Sequence, residues 1–216
     1  MNNIQKILEL YCGDNPLRKN LHQPFQQGDH VFASDGHTLI RVPASRVPVQ
    51  YAIQDKPSNI AANHFRPADI ATPVTLKELT ERIDEVPKIP EMEDIGECLP
   101  CSECDGDGQV VWEYRHWEKE FDCPECDGTG YSDEATFKET GKTVPDMNHT
   151  ITLHGFKFKA EYIIRLSLTM LLLKTDAATM KSHSVHTFKD GVCFSLTEYV
   201  DVLIKPLLTS ENVINN

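Results

Sequence analysis

The first part of the chain shows hydrophobic spacing that predicts a helix followed by strands. Apolar residues recur at helical spacing near the N-terminus, at Ile4, Ile7, Leu8 and Tyr11. Gly13 follows them as a stop signal. Residues 30–42 then contain two runs of strand-forming residues separated by Asp35 and Gly36, which predicts a β-hairpin with its turn at these two residues.

Prolines dominate residues 43–90, where seven of them leave little room for regular structure. One short helix still fits this segment. Thr75 and Glu78 are spaced as a capping box at its start, and Pro87 ends it. We therefore expect a mostly irregular connection that contains one helix.

Beyond residue 150 the pattern of a helix followed by strands returns. Residues 150–153 predict a strand and residues 160–169 a helix. Further strands are expected at 170–174, 179–188, 192–196 and 199–205, with a hairpin turn at 189–191. The chain is therefore predicted to be an α+β protein in which each end supplies a helix and several strands. This arrangement suggests an internal duplication.

Charge is distributed unevenly along the 216 residues, whose net charge is −12. Residues 91–134 hold 15 of the 33 acidic residues and two of the 21 basic ones, so this block carries −13 and the rest of the chain +1. The block is either a solvated surface or a module inserted into a near-neutral domain. The second interpretation divides the chain into 1–90, 91–134 and 135–216, the outer segments forming one domain.

The cysteines favour an inserted module. Five of the seven lie within residues 98–126, and an odd number without a signal peptide argues against a disulfide framework. Two segments, 101–108 and 123–130, read C-x-x-C-x-G-x-G. This spacing lets two thiolates reach one zinc ion, and the glycines let backbone N–H groups turn toward the sulfurs. We expect one structural zinc ion, bound by Cys101, Cys104, Cys123 and Cys126.

The segment between the two motifs is rich in strand-forming residues. Residues 109–121 are long enough for a β-hairpin that joins the motifs. Trp112 and Trp117 in this hairpin have two interpretations. The favoured one is that they cover the metal site, and the alternative is that they form an exposed aromatic patch for a partner protein.

The repeated cysteine motif resembles the zinc region of the DnaJ (Hsp40) co-chaperones over about residues 98–130. That family has four such motifs and two zinc ions, so the two motifs here imply one ion. No His-Pro-Asp triplet occurs, so a J domain that stimulates Hsp70 is not expected. Cys98 forms a further C-x-x-C with Cys101, out of phase with the glycines, and is either a spare thiol or an alternative ligand.

A second resemblance, over about 110 residues outside the acidic block, is to the bacterial sliding clamp, the β subunit of the replicative polymerase. Residues 34–39, Ser-Asp-Gly-His-Thr-Leu, are similar to that family's Thr-Asp-Gly-His-Arg-Leu, from which Ser34 and Thr38 depart. Residues 158–166 and 202–207 are similar to its last helix and closing strands. Turn chemistry explains Asp35, Gly36 and His37 equally well.

The clamp resemblance implies a pair of helices that face DNA. Four basic residues on or beside the two predicted helices are candidate phosphate contacts, and ordinary surface residues otherwise: Lys6, Lys157, Lys159 and Arg165. The acidic block would repel phosphates, so DNA is not expected to bind there.

The sequence favours a non-catalytic function, since it contains no P-loop, no G-x-S-x-G and no H-E-x-x-H. The longest uncharged apolar run, 170–173, is too short to span a membrane, and a cytoplasmic protein is expected. The leading hypothesis is an accessory of DNA replication or of a phage or mobile element. Its zinc insert would bind a protein, its helix pair would contact DNA, and its oligomeric state is left open.

Two alternatives from other classes of function stay open. One is a chaperone-like module whose zinc hairpin binds unfolded polypeptide. The other is an acidic inhibitor that mimics DNA through residues 91–134.

Overall fold

The structure is a computed structural model, and it describes residues 3–53, 64–65, 67–94, 96, 99–131, 137–183 and 191–207. The chain divides into two compact units. The first unit combines Met1–Pro87 with Asp146–Asn216, and the second is Lys88–Pro145. The second unit is thus an insertion between two segments that fold together.

The described helices are α1 (Asn3–Leu10), α2 (Leu76–Asp84) and α3 (Ala160–Leu173). Short 3-10 segments lie at Pro16–Leu21 and Ala44–Arg46. The strands of the first unit are β1 (Phe25–Gln27), β2 (His30–Ser34), β3 (Thr38–Pro43), β4 (Ile70–Thr75), β9 (Thr150–Leu153), β10 (Phe156–Lys159), β11 (Ala177–Ser182), β12 (Val192–Ser195) and β13 (Asp201–Ile204). The strands of the second unit are β5 (Lys88–Asp94), β6 (Gln109–Tyr114), β7 (Trp117–Asp122) and β8 (Phe137–Pro145).

The first unit is built on one seven-stranded sheet. Its strand order is β1-β2-β3-β13-β12-β11-β4, and neighbouring strands pair antiparallel. The segment before the insertion supplies α1, α2 and four of these strands (β1–β4), and the segment after it supplies α3 and the other three (β11–β13). The two groups of strands meet where β3 pairs with β13 and where β4 pairs with β11. The unit is therefore an α+β fold that is mostly sheet, as the hydrophobic pattern predicts.

The helices pack against one face of this sheet and enclose its main core. Helix α3 packs against both α1 and α2. Ile7 and Leu8 of α1 and Leu166 of α3 share that core with sheet residues such as Ile40 and Phe194. A smaller cluster, formed by Phe25, Phe32, Leu39 and Leu203, lies apart from this core. Residues alternate between the two clusters along a strand, as expected for a sheet.

The N-terminal helix, the 30–42 hairpin and the capped helix after Thr75 are confirmed. Thr75 Oγ1 accepts a hydrogen bond from the N–H of Glu78 at 3.1 Å. The predicted strand at 170–174 is wrong, because α3 continues through Leu173 and Met170 is buried in the helical core. A run of four apolar residues fits a strand or a buried helix equally well.

The structure also contains strands within the proline-rich segment that were not predicted. Strand β4 includes Pro73 and lies at the edge of the sheet, where a missing N–H costs no pairing. The strand predicted at 179–188 corresponds to β11, which ends at Ser182. The rest of that prediction, and most of the turn at 189–191, lies outside the described residues.

The second unit consists of two antiparallel strand pairs, β5 with β8 and β6 with β7. It includes more residues at both ends than the 91–134 block that the charge distribution predicts. The reason is the pairing of β5 with β8, which runs from Lys88 opposite Pro145 to Asp94 opposite Phe137. Within the described ranges, no helix is long and apolar enough to cross a membrane.

Candidate metal centre

Four cysteine side chains meet in the second unit. The sulfurs of Cys101, Cys104, Cys123 and Cys126 all lie within 4.8 Å of one another, and all four residues are buried. The Sγ atoms of Cys101 and Cys123 are 3.9 Å apart, and those of Cys104 and Cys126 are 3.8 Å apart. These distances are too long for disulfide bonds, which measure about 2.05 Å.

The spacing of the sulfurs matches a tetrahedral metal site. Bonds of about 2.3 Å from one central ion place the four sulfurs about 3.8 Å apart. Two of the distances agree with this value, and the others stay within 4.8 Å. The donor set therefore fits a single metal ion, and four protein ligands complete a closed site. This is the one group of potential ligands that the described residues bring together.

The glycines after each cysteine pair form the site in the way the motif predicts. The N–H of Gly108 donates to Cys104 Sγ at 3.2 Å, and the N–H of Gly130 donates to Cys126 Sγ at 3.3 Å. Both glycines have positive φ, and a Cβ on either one would collide with a backbone carbonyl of the other motif. Only glycine fits at these positions.

The two motifs also bind each other through their backbones. The N–H of Cys101 donates to the carbonyl of Gly130 at 2.9 Å, and the N–H of Cys123 donates to the carbonyl of Gly108 at 2.8 Å. This reciprocal pair gives the site a local two-fold arrangement. A repeat in the sequence thus becomes a repeat in space.

The electrostatics of the site favour a thiolate at one cysteine. Burial acts to raise the pKa of Cys126, but the N–H of Gly130 and the neighbouring thiols lower that pKa to about 7. Burial raises the pKa of Cys123 to about 11. A bound cation would favour the thiolate form of all four. Cys98, the alternative ligand, lies outside the described residues.

The tryptophans of the hairpin do not cover the metal site. Trp112 is 69% exposed and Trp117 is 78% exposed. Val110 packs against the cysteines instead. Val110 is the second residue of β6 and lies near the motifs, whereas each strand rises about 3.4 Å per residue and carries the tryptophans away from the site. The favoured interpretation was wrong, and the exposed aromatic patch is what the structure contains.

The four candidate phosphate contacts differ in their exposure to solvent. Lys6 is exposed on α1, and Lys157 and Lys159 are half-buried on β10. Lys159 Nζ donates to Asn148 Oδ1 at 3.2 Å. The guanidinium of Arg165 is 15% exposed and is paired with two carboxylates, so it is not a free surface cation. A contact with DNA stays a prediction for the three lysines.

The pairing of Arg165 identifies a structural role that the sequence does not predict. Arg165 donates to Asp35, Glu161 and, at 3.0 Å, to Thr38 Oγ1. Asp35 Oδ1 also accepts from the N–H groups of His37 and Thr38, which is the turn chemistry expected of this residue. Burial acts to raise the pKa of Asp35, but these hydrogen bonds and Arg165 hold it below its usual range.

The same turn borders a cavity of about 250 Å³ in the first unit. Leu39 and Leu203 supply apolar lining, and Ser34, His37 and Lys205 supply polar groups. A cavity with this mixed polar and apolar lining has room for a side chain of a partner or for a small molecule. The residues that carry the clamp resemblance therefore line a cavity, which the hydrophobic pattern of the sequence does not reveal.

No family model matches the chain, and no curated protein matches it. Solved structures similar to it include a DnaN sliding clamp (DNA polymerase III subunit beta) from Bartonella birtlesii bound to griselimycin. That structure has 12% identity and a TM-score of 0.48, with 97% of this chain and 65% of that chain covered.

The DNA polymerase III beta subunit from Thermotoga maritima is similar at 11% identity and a TM-score of 0.46, with 99% of this chain and 65% of that chain covered. The C. crescentus beta sliding clamp, with PEG bound to a putative beta-motif tethering region, is similar at 10% identity and a TM-score of 0.48, with 97% and 65% covered. The chain thus spans 65% of the length of each of these three proteins. These similarities are too low to assign the chain to the clamp family.

Proposed function

We propose that this chain is a non-catalytic zinc-binding accessory protein that acts through contacts with other proteins. The four-cysteine cluster carries the proposal. It is buried, it has the sulfur spacing of a tetrahedral site, and four thiolates are the ligand set of structural zinc. Cys101, Cys104, Cys123 and Cys126 hold the ion, which supplies cross-linking and no open coordination position.

The exposed surface of the second unit supports a role in protein binding. The strands next to the cysteines expose large aromatic side chains, and exposed apolar patches mark interaction sites. The cavity beside the Asp35 turn provides a second place for a side chain of a partner.

The proposed setting is DNA replication, or a phage or mobile element. The clamp-like sequence at residues 34–39 supports this setting, as does a first unit in which both ends of the chain supply helices and strands to one sheet. Lys6, Lys157 and Lys159 would then contribute modest, salt-dependent contacts with duplex DNA.

Elemental analysis tests the metal part of the proposal. Protein purified without chelator should contain one zinc ion per chain. Two zinc ions, or none, would contradict it.

A chaperone-like module is the second candidate, and the exposed aromatic residues of the β6–β7 hairpin favour it. Suppression of the aggregation of an unfolded client protein would support that candidate. Salt-dependent binding to duplex DNA without such suppression would support the accessory function.

A further inference from the structure

The hairpin formed by β6 and β7 has an aromatic face. In its register Trp112 lies opposite Lys119, and Tyr114 lies opposite Trp117. Opposed residues, and every second residue along a strand, share a face of a sheet. One face therefore carries Trp112, Tyr114, Trp117 and Phe121, all of them exposed. The rings of Trp112 and Phe121 are in edge contact, with centroids 6.4 Å apart.

The opposite face of the same hairpin is acidic. It carries Glu113, Glu118, Glu120 and Asp122. Glu113 lies directly opposite Glu118, and like charges in that position destabilise a strand pair. Along β7 the three acidic residues repeat about every 7 Å. A basic group bound along this row would relieve the repulsion.

The hairpin has two open edges, one along β6 and one along β7. Among the described residues, β6 and β7 form a sheet of two strands and pair only with each other. An open edge can accept a further strand, whose side chains then alternate between the two faces of the sheet. The β7 edge is the acidic one, since Glu118, Glu120 and Asp122 share one of its faces and β6 carries the single acid Glu113. The other face of β7 carries Trp117, Lys119 and Phe121.

We infer that the edge of β7 binds an extended segment of a partner protein in which apolar and basic residues alternate. This inference rests on the proposed function, in which the zinc module is a protein-binding part. The apolar side chains of the segment pack beside Trp117 and Phe121. Its basic side chains lie beside Glu118, Glu120 and Asp122.

Charge selects this occupant over others. The second unit contains 16 acidic and five basic residues, a net charge of −11. That field repels nucleic acid and a second copy of the same module, and it attracts a basic segment. The aromatic rings also accept cations, since Lys119 Nζ lies 4.8 Å from the ring centroid of Phe121.

Tryptophan fluorescence of the zinc-loaded full chain measures binding at this edge. The two tryptophans of the chain are Trp112 and Trp117, both in the hairpin. Three synthetic peptides of about ten residues serve as probes: one alternates Lys and Val, one has the same composition in two blocks, and one alternates Glu and Val. The alternating Lys-Val peptide should shift the emission saturably, and added salt should weaken its binding.

A double variant and a matched control locate the edge. Glu118→Gln with Glu120→Gln should weaken binding about threefold for each lost charge. Glu9→Gln with Glu81→Gln removes two exposed charges from α1 and α2 and should leave binding unchanged. Equal binding of the block or Glu-Val peptide, or no effect of the double variant, would overturn the inference.

Zinc content and the state of association of each sample separate the two proposals. A sample that holds one zinc ion but binds no peptide overturns the strand-addition inference alone. A sample without zinc overturns the proposed function. An emission change that depends on protein concentration would identify a second copy of the chain as the occupant. An emission change caused by duplex DNA would identify nucleic acid. Either result would overturn the inference.

Discussion

Each of the two units of this chain is stabilised by a different kind of internal interaction. The first unit buries a continuous apolar core between its helices and one face of a seven-stranded sheet. In the described part of the second unit, the four cysteines are the buried side chains, and Val110 is partly buried beside them. A module with so little apolar burial cannot offset the entropy of ordering its chain without a cross-link.

The comparison predicts that the second unit folds only when it binds its metal ion, and that the first unit folds without one. The net charge also differs between the units, since the second unit carries −11. A module without an apolar core can expose acidic residues at little cost in stability. Breaking the metal site should therefore destabilise the second unit and leave the stability of the first unit unchanged.

The largest effect is expected from Cys104→Ser or Cys126→Ser. Structural zinc sites supply about 10–16 kcal/mol of apparent binding energy, so losing one thiolate should release the metal and unfold the second unit. The first unit should keep its cooperative thermal transition, as followed by circular dichroism and calorimetry. Cys12→Ser, at a half-buried cysteine of the first unit, is the matched control and should retain one zinc ion. Loss of the first unit's transition in the Cys104 variant would show that the units are not independent.

A smaller effect is expected from Asp35→Asn, which affects only the first unit. The change weakens the pairing with Arg165, whose hydrogen bonds to a charged partner are worth about 2 kcal/mol. Because the pKa of Asp35 is lowered in the folded state, its contribution is complete above the unfolded pKa and is lost as pH falls through the folded pKa. The variant should therefore lose less stability than the native chain on acidification, measured by urea unfolding between neutral and acid pH. An unchanged acid profile would refute this role.

The lysines of the first unit should give a smaller effect, visible only with DNA. Neutralising Lys6, Lys157 and Lys159 together should lower the salt dependence of binding to duplex DNA by about one unit of slope per lost contact. Lys77→Gln, at an exposed lysine of α2, is the control. If the triple variant binds DNA with the native slope, these lysines are ordinary surface residues.

The smallest effect on the first unit is expected from removal of the whole second unit. The N–H of Asp146 donates to the carbonyl of Pro87 at 2.8 Å, so the two ends of the first unit meet where the insert leaves. Joining these residues through a Gly/Ser linker of about four residues should preserve the thermal transition. An unfolded product would show that the first unit needs the insert.

Sequence reasoning predicted the local features that depend on neighbouring residues. The clustering of Cys101, Cys104, Cys123 and Cys126 follows from their spacing, and the helix after Thr75 follows from its capping box. The exposure of Trp112 and Trp117 could not be read from their hydrophobicity, because it depends on how far the hairpin extends beyond the site. The period of two in residues 117–122 could have indicated it, since acidic residues occupy every second position there and leave neither face of the strand uniformly apolar.

The sequence could not predict which residues far apart in the chain pair with each other. The ion pair of Arg165 with Asp35 joins residues 130 positions apart, and no local pattern identifies such partners. The pairing of β3 with β13, and the width of the second unit, depend on the same kind of contact. Local spacing limits these pairings but does not select them.

X-ray absorption at the zinc edge, on the full chain purified without chelator, tests the central claim most directly. The account predicts one zinc ion per chain, with four sulfur ligands at about 2.3 Å and no nitrogen or oxygen ligand. The same spectrum should appear in the Cys12→Ser variant and be lost in Cys104→Ser. Fewer than four sulfur ligands, another metal, or a fully folded second unit without any metal would contradict the claim that the metal forms this unit.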